Sequence, residues 1–174
     1  MMETKTKIKT KIKIEKVTVN VGAGESGEKL DKAKDLVEKL TKRKAVYTKA
    51  RKREQAFKIR KGQDIGVKVT LRKSEAEDFL KNAFKAVDNK IKEKSFDDFG
   101  NVSFGVPEYI DFPGMKYDPK IGLIGFDVCI TLARPGLRVK KRKRKKSKIP
   151  KKQFVKKDES IDFLTKNFGI EVTR

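Results

Sequence analysis

The stretch Asp64-Ile-Gly-Val-Lys-Val-Thr-Leu-Arg72 alternates without a break. In an extended chain successive side chains point to opposite faces, so Ile65, Val67, Val69 and Leu71 fall on one side. Gly66, Lys68, Thr70 and Arg72 fall on the other. A strand written this way belongs in a sheet with one face covered and one face open to water. The open face is polar and cationic.

Other segments supply the rest of such a sheet and its cover. Ile12 to Val21 reads as a strand with Val17, Val19 and Val21 inward, and its parity slips at Glu15–Lys16, where a bulge or a strand start is expected. After the turn Gly22–Gly27, Leu30, Ala33, Val37 and Leu40 recur at helical spacing from Glu28 to about Leu40. Ala45–Lys49 reads as a short strand. Ser74-Glu-Ala-Glu77 has the pattern of a capping box and is expected to open a helix carrying Phe79, Leu80, Ala83, Phe84, Val87 and Ile91. Beyond the loop Lys94–Asn101, Val102, Phe104 and Val106 alternate up to Pro107. The turn-rich segment Phe112–Pro119 leads into a strand with Ile124, Phe126, Val128, Ile130 and Leu132 inward. A last helix is expected from about Glu159 to Phe168, capped by Asp158 and released by Gly169. This order predicts an α+β fold: one domain over residues 1–174, a largely antiparallel sheet, helices packed on one face, and the cationic face free.

Charge names the class of partner. The chain holds 46 Lys and Arg against 24 Asp and Glu, a formal charge of +22, and has no histidine. Lys42 to Lys61 contains ten bases and one acid, Arg138 to Lys157 contains thirteen bases and no acid, and the remainder balances to zero. Concentrated like charge repels itself, so a polyanion that neutralises the two stretches is the expected partner. A solubilising tail fits less well, because solubility is served by dispersed charge and better by acids than by lysines. Neither stretch has the apolar face of a membrane-surface helix. No apolar run reaches the length of a membrane span, and Met1–Lys13 lacks the uninterrupted core of a signal peptide. With too few apolar residues to bury, Arg138–Lys157 is expected to be an extension ordered by its partner.

The missing histidine excludes Ser-His-Asp and Cys-His nucleophilic sites and histidine-ligated zinc within this chain. The single cysteine, Cys129, excludes an internal disulfide and a thiolate cluster, and suits a reducing cytoplasm. Gly22-Ala-Gly-Glu-Ser-Gly27 matches the dinucleotide-binding pattern between a strand and a helix, and so raises an enzyme using a nucleotide cofactor as an alternative. Against it, Glu25 would put a carboxylate in the pyrophosphate loop, Lys49 stands where a ribose-binding acid belongs, and no βαβ series follows. Asp97-Asp98 reads as loop chemistry, not a metal pair. No metal, cofactor or small-molecule substrate is expected. The run Tyr47-Thr-Lys-Ala-Arg-Lys-Arg-Glu-Gln-Ala-Phe57 sets cations between two rings, which suits folded RNA with exposed bases. The alternative for its aromatic part is a lysine-rich loop with Phe57 tucked into the core. A general nucleic-acid-compacting protein is the other alternative.

Five separated motifs resemble the universal large-subunit ribosomal protein family numbered five in bacterial nomenclature. They are Lys13-Ile-Glu-Lys-Val-Thr-Val-Asn-Val-Gly-Ala-Gly-Glu25, Ala50–Phe57 running into Lys58-Ile-Arg-Lys-Gly62, Ile65–Arg72, Ser95-Phe-Asp-Asp-Phe-Gly-Asn101 and Phe112-Pro-Gly114. Phe104-Gly-Val-Pro-Glu-Tyr-Ile110, Tyr117-Asp-Pro119 and Arg134-Pro-Gly-Leu-Arg-Val139 resemble its archaeal and eukaryotic branch. The resemblance implies a structural, non-catalytic protein of the cytoplasmic ribosome that binds 5S rRNA and attaches it in the central protuberance of the large subunit. It also implies contact with 23S-type rRNA, the P-site tRNA, small-subunit head protein thirteen and other proteins of the protuberance.

Carried over by motif, Lys16, Asn20, Phe57, Thr70 and Arg72 would meet 5S rRNA, joined by Lys68 from the cationic sheet face and by Arg43 at a family contact position. Tyr47, Thr48, Lys49, Arg51, Lys52 and Arg53 would form the tRNA-facing loop. Phe112, Pro113, Gly114, Met115, Lys116 and Tyr117 would lie at the subunit bridge. Arg138, Lys140, Lys141, Arg142, Lys143, Arg144, Lys145 and Lys146 would serve general RNA attraction. Thr41-Lys-Arg-Lys-Ala-Val46 departs from the family's usual Gly-Gln-Lys-Pro-Val, and Arg43 replaces a glutamine counted among its RNA contacts.

Overall fold

A computed structural model describes residues 11–24 and 27–173. Met1–Thr10 of the lysine-studded lead, and Glu25 and Ser26 of the glycine turn, lie outside the described residues. The elements follow in the order β1 (Lys13–Gly22), α1 (Glu28–Thr41), β2 (Val46–Lys49), β3 (Asp64–Leu71), α2 (Ser74–Lys85), β4 (Lys90–Lys92), β5 (Asn101–Val106), β6 (Phe126–Ala133), α3 (Arg138–Lys141), α4 (Lys157–Phe168) and β7 (Glu171–Thr173). Five strands form one sheet in the order β2-β3-β1-β6-β5. Every neighbouring pair is antiparallel.

The alternation read in the sequence decides which face is covered. Val17, Val19 and Val21 of β1, Val67, Val69 and Leu71 of β3, and Phe126, Val128, Ile130 and Leu132 of β6 are all buried. They share one core with Leu30, Ala33, Val37 and Leu40 of α1 and with Phe79, Leu80, Ala83 and Phe84 of α2. Leu36 of α1 joins them and completes the helix's apolar face. Each such aliphatic side chain contributes roughly 1.5–3 kcal/mol by leaving water. Reversing the parity of any of these strands would put that set in solvent, which fixes the register firmly.

Four local expectations are corrected. Ser74 does not cap α2: it is the first helical residue, and Lys73 occupies the cap position with φ 57°. The Lys73 carbonyl already accepts the N–H groups of Ala76 and Glu77, so the chain turns one residue earlier than the box pattern implies. The helix also stops at Lys85. Asp88 and Asn89 both take positive φ, a conformation these two residue types tolerate better than most, and they redirect the chain. Ile91 therefore sits on β4, which pairs in parallel with β7, Ile91 opposite Val172. Ile124, expected on the sixth strand, precedes it. Finally, α4 begins at Lys157, so Asp158 lies inside its first turn. The Glu159 carboxylate accepts the Lys156 N–H at 3.1 Å instead. Gly169 ends α4 as expected, with φ 66° and its N–H on the Thr165 carbonyl.

Candidate nucleic-acid interface

The pairing register turns the outward residues of the strands into rows that cross the sheet. Thr18 lies between Thr70 of β3 and Cys129 of β6. Asn20 lies between Lys68 and Asp127, and Lys68 is in turn opposite Val46 of β2. Lys16 is opposite Thr131, which is opposite Asn101 of β5. These side chains are exposed or half-buried, and no described helix of the core covers them. The face is polar throughout, apart from Val46, which is 60% exposed.

The register of β1 shifts between Ile14 and Lys16, which is the bulge the parity slip predicts. It does more than bend the strand. The extra residue, Glu15, offers its carbonyl to Arg72 Nη1 at 3.3 Å. Arg72 is thereby held over the strand that carries Lys16 and Asn20. The Glu15 carboxylate pairs with Lys141 of α3. One residue thus links the cationic edge of the sheet face to the basic segment that follows β6.

Gly66 sets how closely the three strands approach. A Cβ there would lie 2.8 Å from both the Thr48 hydroxyl and the Val21 carbonyl. Only glycine accommodates that spacing without displacing the backbone.

Charge across the open face is uneven. Lys68 and Arg72 stand on the β3 side, and Lys16 stands on β1, whereas Asp127 stands on the β6 side. A phosphate track is favoured along β3 and β1 and opposed beside Asp127. The Cys129 thiol is held above its ordinary value, by partial burial first and by the Asp127 carboxylate second. It is accordingly a poor nucleophile at neutral pH.

The remaining expected site residues divide. Phe57 is 71% exposed on the loop between β2 and β3, so it is not tucked into the core. Arg51, Lys52 and Arg53 are exposed on the same loop, and Lys49 is exposed at its start. Tyr47 faces the other way: it is opposite Val67, donates its hydroxyl to Asp31 of α1 at 2.7 Å, and has Lys34 Nζ 5.0 Å from its ring centre. The hydrogen bond to Asp31 raises its phenol above the ordinary value. Of the two rings bracketing the basic run, only Phe57 is presented to a ligand. Arg43 lies off the sheet face, in a two-point ion pair with Glu75 of α2 at 3.0 and 2.6 Å. A glutamine at this position would bring no charge to that pair.

In the expected bridge region Phe112 is a core residue, 5% exposed and stacked on Phe79 at 5.3 Å. Pro113, Gly114, Lys116 and Tyr117 are exposed, and Met115 is half-buried. The loop is held from below, because the Tyr109 hydroxyl accepts the Asp118 N–H at 2.8 Å and Lys39 pairs with the Asp118 carboxylate at 2.9 Å.

Between β6 and α4 the chain carries Arg138, Lys140 and Lys141 on the short helix α3, then Arg142 to Lys146, all exposed. Its ends are tied. Arg134 and Glu159 pair at 2.6 Å, and Val155 is buried in the core. Burial pushes the Glu159 carboxyl up, but the Lys156 N–H and the Arg134 guanidinium outweigh it and hold the group below its ordinary value.

An α+β sheet with one covered face and one open cationic face, beside a tethered basic segment, defines a protein built to engage a polyanion. The comparisons make this particular. The family described as ribosomal protein L5 matches residues 8–60, and the C-terminal portion of the same ribosomal family matches residues 64–171. The large ribosomal subunit protein uL5 of Sulfolobus acidocaldarius is 51% identical over 168 residues, covering 97% of this chain and 94% of the relative. Proteins of the same name from Pyrobaculum aerophilum and Methanococcus vannielii are 52% and 53% identical, each over 91% of this chain and 88% and 89% of the relative. The chain belongs to the ribosomal protein L5 family. That is a family of structural proteins, so the glycine turn is not part of an enzyme. The two matched segments meet inside the loop between β2 and β3, yet β1 lies between β3 and β6. Both segments build one sheet.

Thr18, Thr131, Asn101 and Ser103 are outward residues that the sequence pattern did not assign to the interface. Their alternation was visible, but their neighbours were not.

Proposed function

We propose that this chain is a structural constituent of the large ribosomal subunit that binds 5S rRNA with its open sheet face and attaches that RNA in the central protuberance of the cytoplasmic ribosome. The observation that carries the reading is the register, which sets Lys16, Asn20, Lys68, Thr70 and Arg72 on one face away from the helices. Arg72 and Lys68 supply phosphate contacts, while Asn20 and Thr70 supply hydrogen bonds that read RNA shape. Phe57 adds an exposed ring to the 5S rRNA contact, while Lys49, Arg51, Lys52 and Arg53 of the same loop extend toward the P-site tRNA. Pro113, Gly114, Met115, Lys116 and Tyr117 form the contact with small-subunit head protein thirteen, and Phe112 supports them from the core. Arg138–Lys146 neutralises 23S-type rRNA phosphates beside other protuberance proteins, and the segment Arg138–Lys157 takes its final order from that RNA.

An electrophoretic shift with 5S rRNA in the presence of excess tRNA tests this. Retention of the 5S complex is expected. Competition by tRNA or duplex DNA on equal terms would replace the reading with a general nucleic-acid-compacting protein.

A further inference from the structure

A groove of about 610 Å³ opens where the bulged end of the sheet meets the basic segment. We propose that it holds one unstacked nucleotide of a single-stranded ribosomal RNA segment, with the base against Phe99 and the flanking phosphates on Lys140 and Lys146. The inference rests on the RNA-binding reading above and adds to it a site on the opposite edge of the sheet from the loop between β2 and β3.

The first observation is the placement of Phe99. Its ring is 52% exposed, although it is large and apolar. The backbone beneath it is fixed, because the Asp97 carboxylate accepts the N–H groups of Phe99 and Asn101 at 2.9 and 2.7 Å and the Asn101 amide at 2.6 Å. Gly100 completes the turn with φ 74°, and a Cβ there would meet Val155 at 2.7 Å. A ring so held stays exposed because the turn aims it outward.

The second observation is what surrounds that ring. Phe154 meets Phe99 edge to face at 5.7 Å, and Lys140 Nζ stands 5.0 Å from the Phe154 ring centre. Lys141 and Lys146 complete the cationic rim, while Asn101, Thr131 and Glu15 line the side toward the sheet. An apolar floor, a polar wall and a cationic rim are the three surfaces a nucleotide requires: ring face, base edge and phosphate. The volume falls within the range of about 300–1,000 Å³ typical of small-ligand sites. Glu15 is already neutralised by Lys141, so it does not repel the phosphates. An acidic protein segment would satisfy the lysines but would leave the polar wall unused.

The test compares fluorescence anisotropy of full-length protein with a labelled eight-adenosine RNA, an eight-base-pair RNA duplex and 5S rRNA. Stacking is worth about 1–3 kcal/mol per base, so Phe99→Ala is expected to weaken the single strand by roughly 5- to 150-fold. The duplex is expected to change less than about twofold, since its bases are not presented to a stacking ring. Phe99→Leu, which keeps apolar bulk without the ring, is expected to match Phe99→Ala, and Phe99→Tyr is expected to restore binding. Equal losses on single strand and duplex, or none on either, would overturn the proposal and return the groove to a protein neighbour. The two readings separate cleanly: intact 5S preference with no Phe99 effect sinks the groove alone, and a Phe99 effect without 5S preference sinks the 5S reading alone.

Discussion

The open face of β3 and the segment Arg138–Lys146 are both cationic, yet they are built differently. Lys68 is held by strand pairing on both sides, Thr70 is paired with Thr18 of β1, and Arg72 is tied to the Glu15 carbonyl. The basic segment carries more charge, anchored at its ends by the Arg134–Glu159 pair and Val155 and on its short helix by the Lys141–Glu15 pair, with Arg142 to Lys146 left as an exposed run. Fixed groups can match one RNA surface, whereas many loosely placed charges attract any phosphate backbone. On the proposed function, specificity belongs to a few residues on a part of the chain with little net charge, and general affinity belongs to the basic segment, where Arg138 to Lys146 holds eight bases and no acid.

Removing charge from the segment gives the largest effect. Replacing Lys143, Arg144, Lys145 and Lys146 by Gln is expected to weaken binding to every RNA and to lower the slope of log affinity against log salt by about three to four, read from titrations at several salt concentrations. A loss confined to 5S rRNA would erase the distinction between the regions. Arg72→Ala comes next. It is expected to weaken the 5S complex by about 1–3 kcal/mol while tRNA binding changes little, measured by competition shifts.

Gly66→Ala probes how far specificity depends on strand spacing. The added methyl meets the Val21 carbonyl, part of the backbone, so destabilisation of about 1–3 kcal/mol is expected in denaturant titration. In the surviving fold, 5S preference falls while general RNA attraction persists. Acid gives the smallest effect. The folded Glu159 carboxyl lies below its ordinary value of 4.5, so its contribution is complete above that pH and is lost as pH falls through the lower folded value. Because the pair is partly solvated, less than about 1 kcal/mol is at stake. Glu159→Gln is expected to flatten that part of the stability profile, and an unchanged profile would show that the pair does not anchor the segment.

Much of this was legible in the residues. The unbroken alternation of Asp64–Arg72 determined the cationic face, and the parity slip at Glu15–Lys16 located the bulge that positions Arg72. What local pattern could not supply was adjacency. Tyr47, on the short strand read at Ala45–Lys49, is expected to offer its ring to RNA until its pairing with Val67 turns it toward α1. Phe112 sits in a turn-rich run that looks exposed, and only packing against Phe79 and Phe126 makes it core. Strands β4 and β7 have three residues each, too few for alternation to register, and they exist because they pair with one another. The Ser74 cap failed because the Lys73 carbonyl, one residue earlier, accepts the N–H groups of Ala76 and Glu77.

The most direct measurement is the ratio of 5S rRNA to tRNA dissociation constants for the unchanged protein, Arg72→Ala and the four-glutamine segment variant, at one salt concentration. The sheet-face account predicts that Arg72→Ala collapses the ratio toward one while the segment variant leaves it nearly unchanged despite weaker binding to both RNAs. A ratio that survives Arg72→Ala and collapses in the segment variant would contradict it.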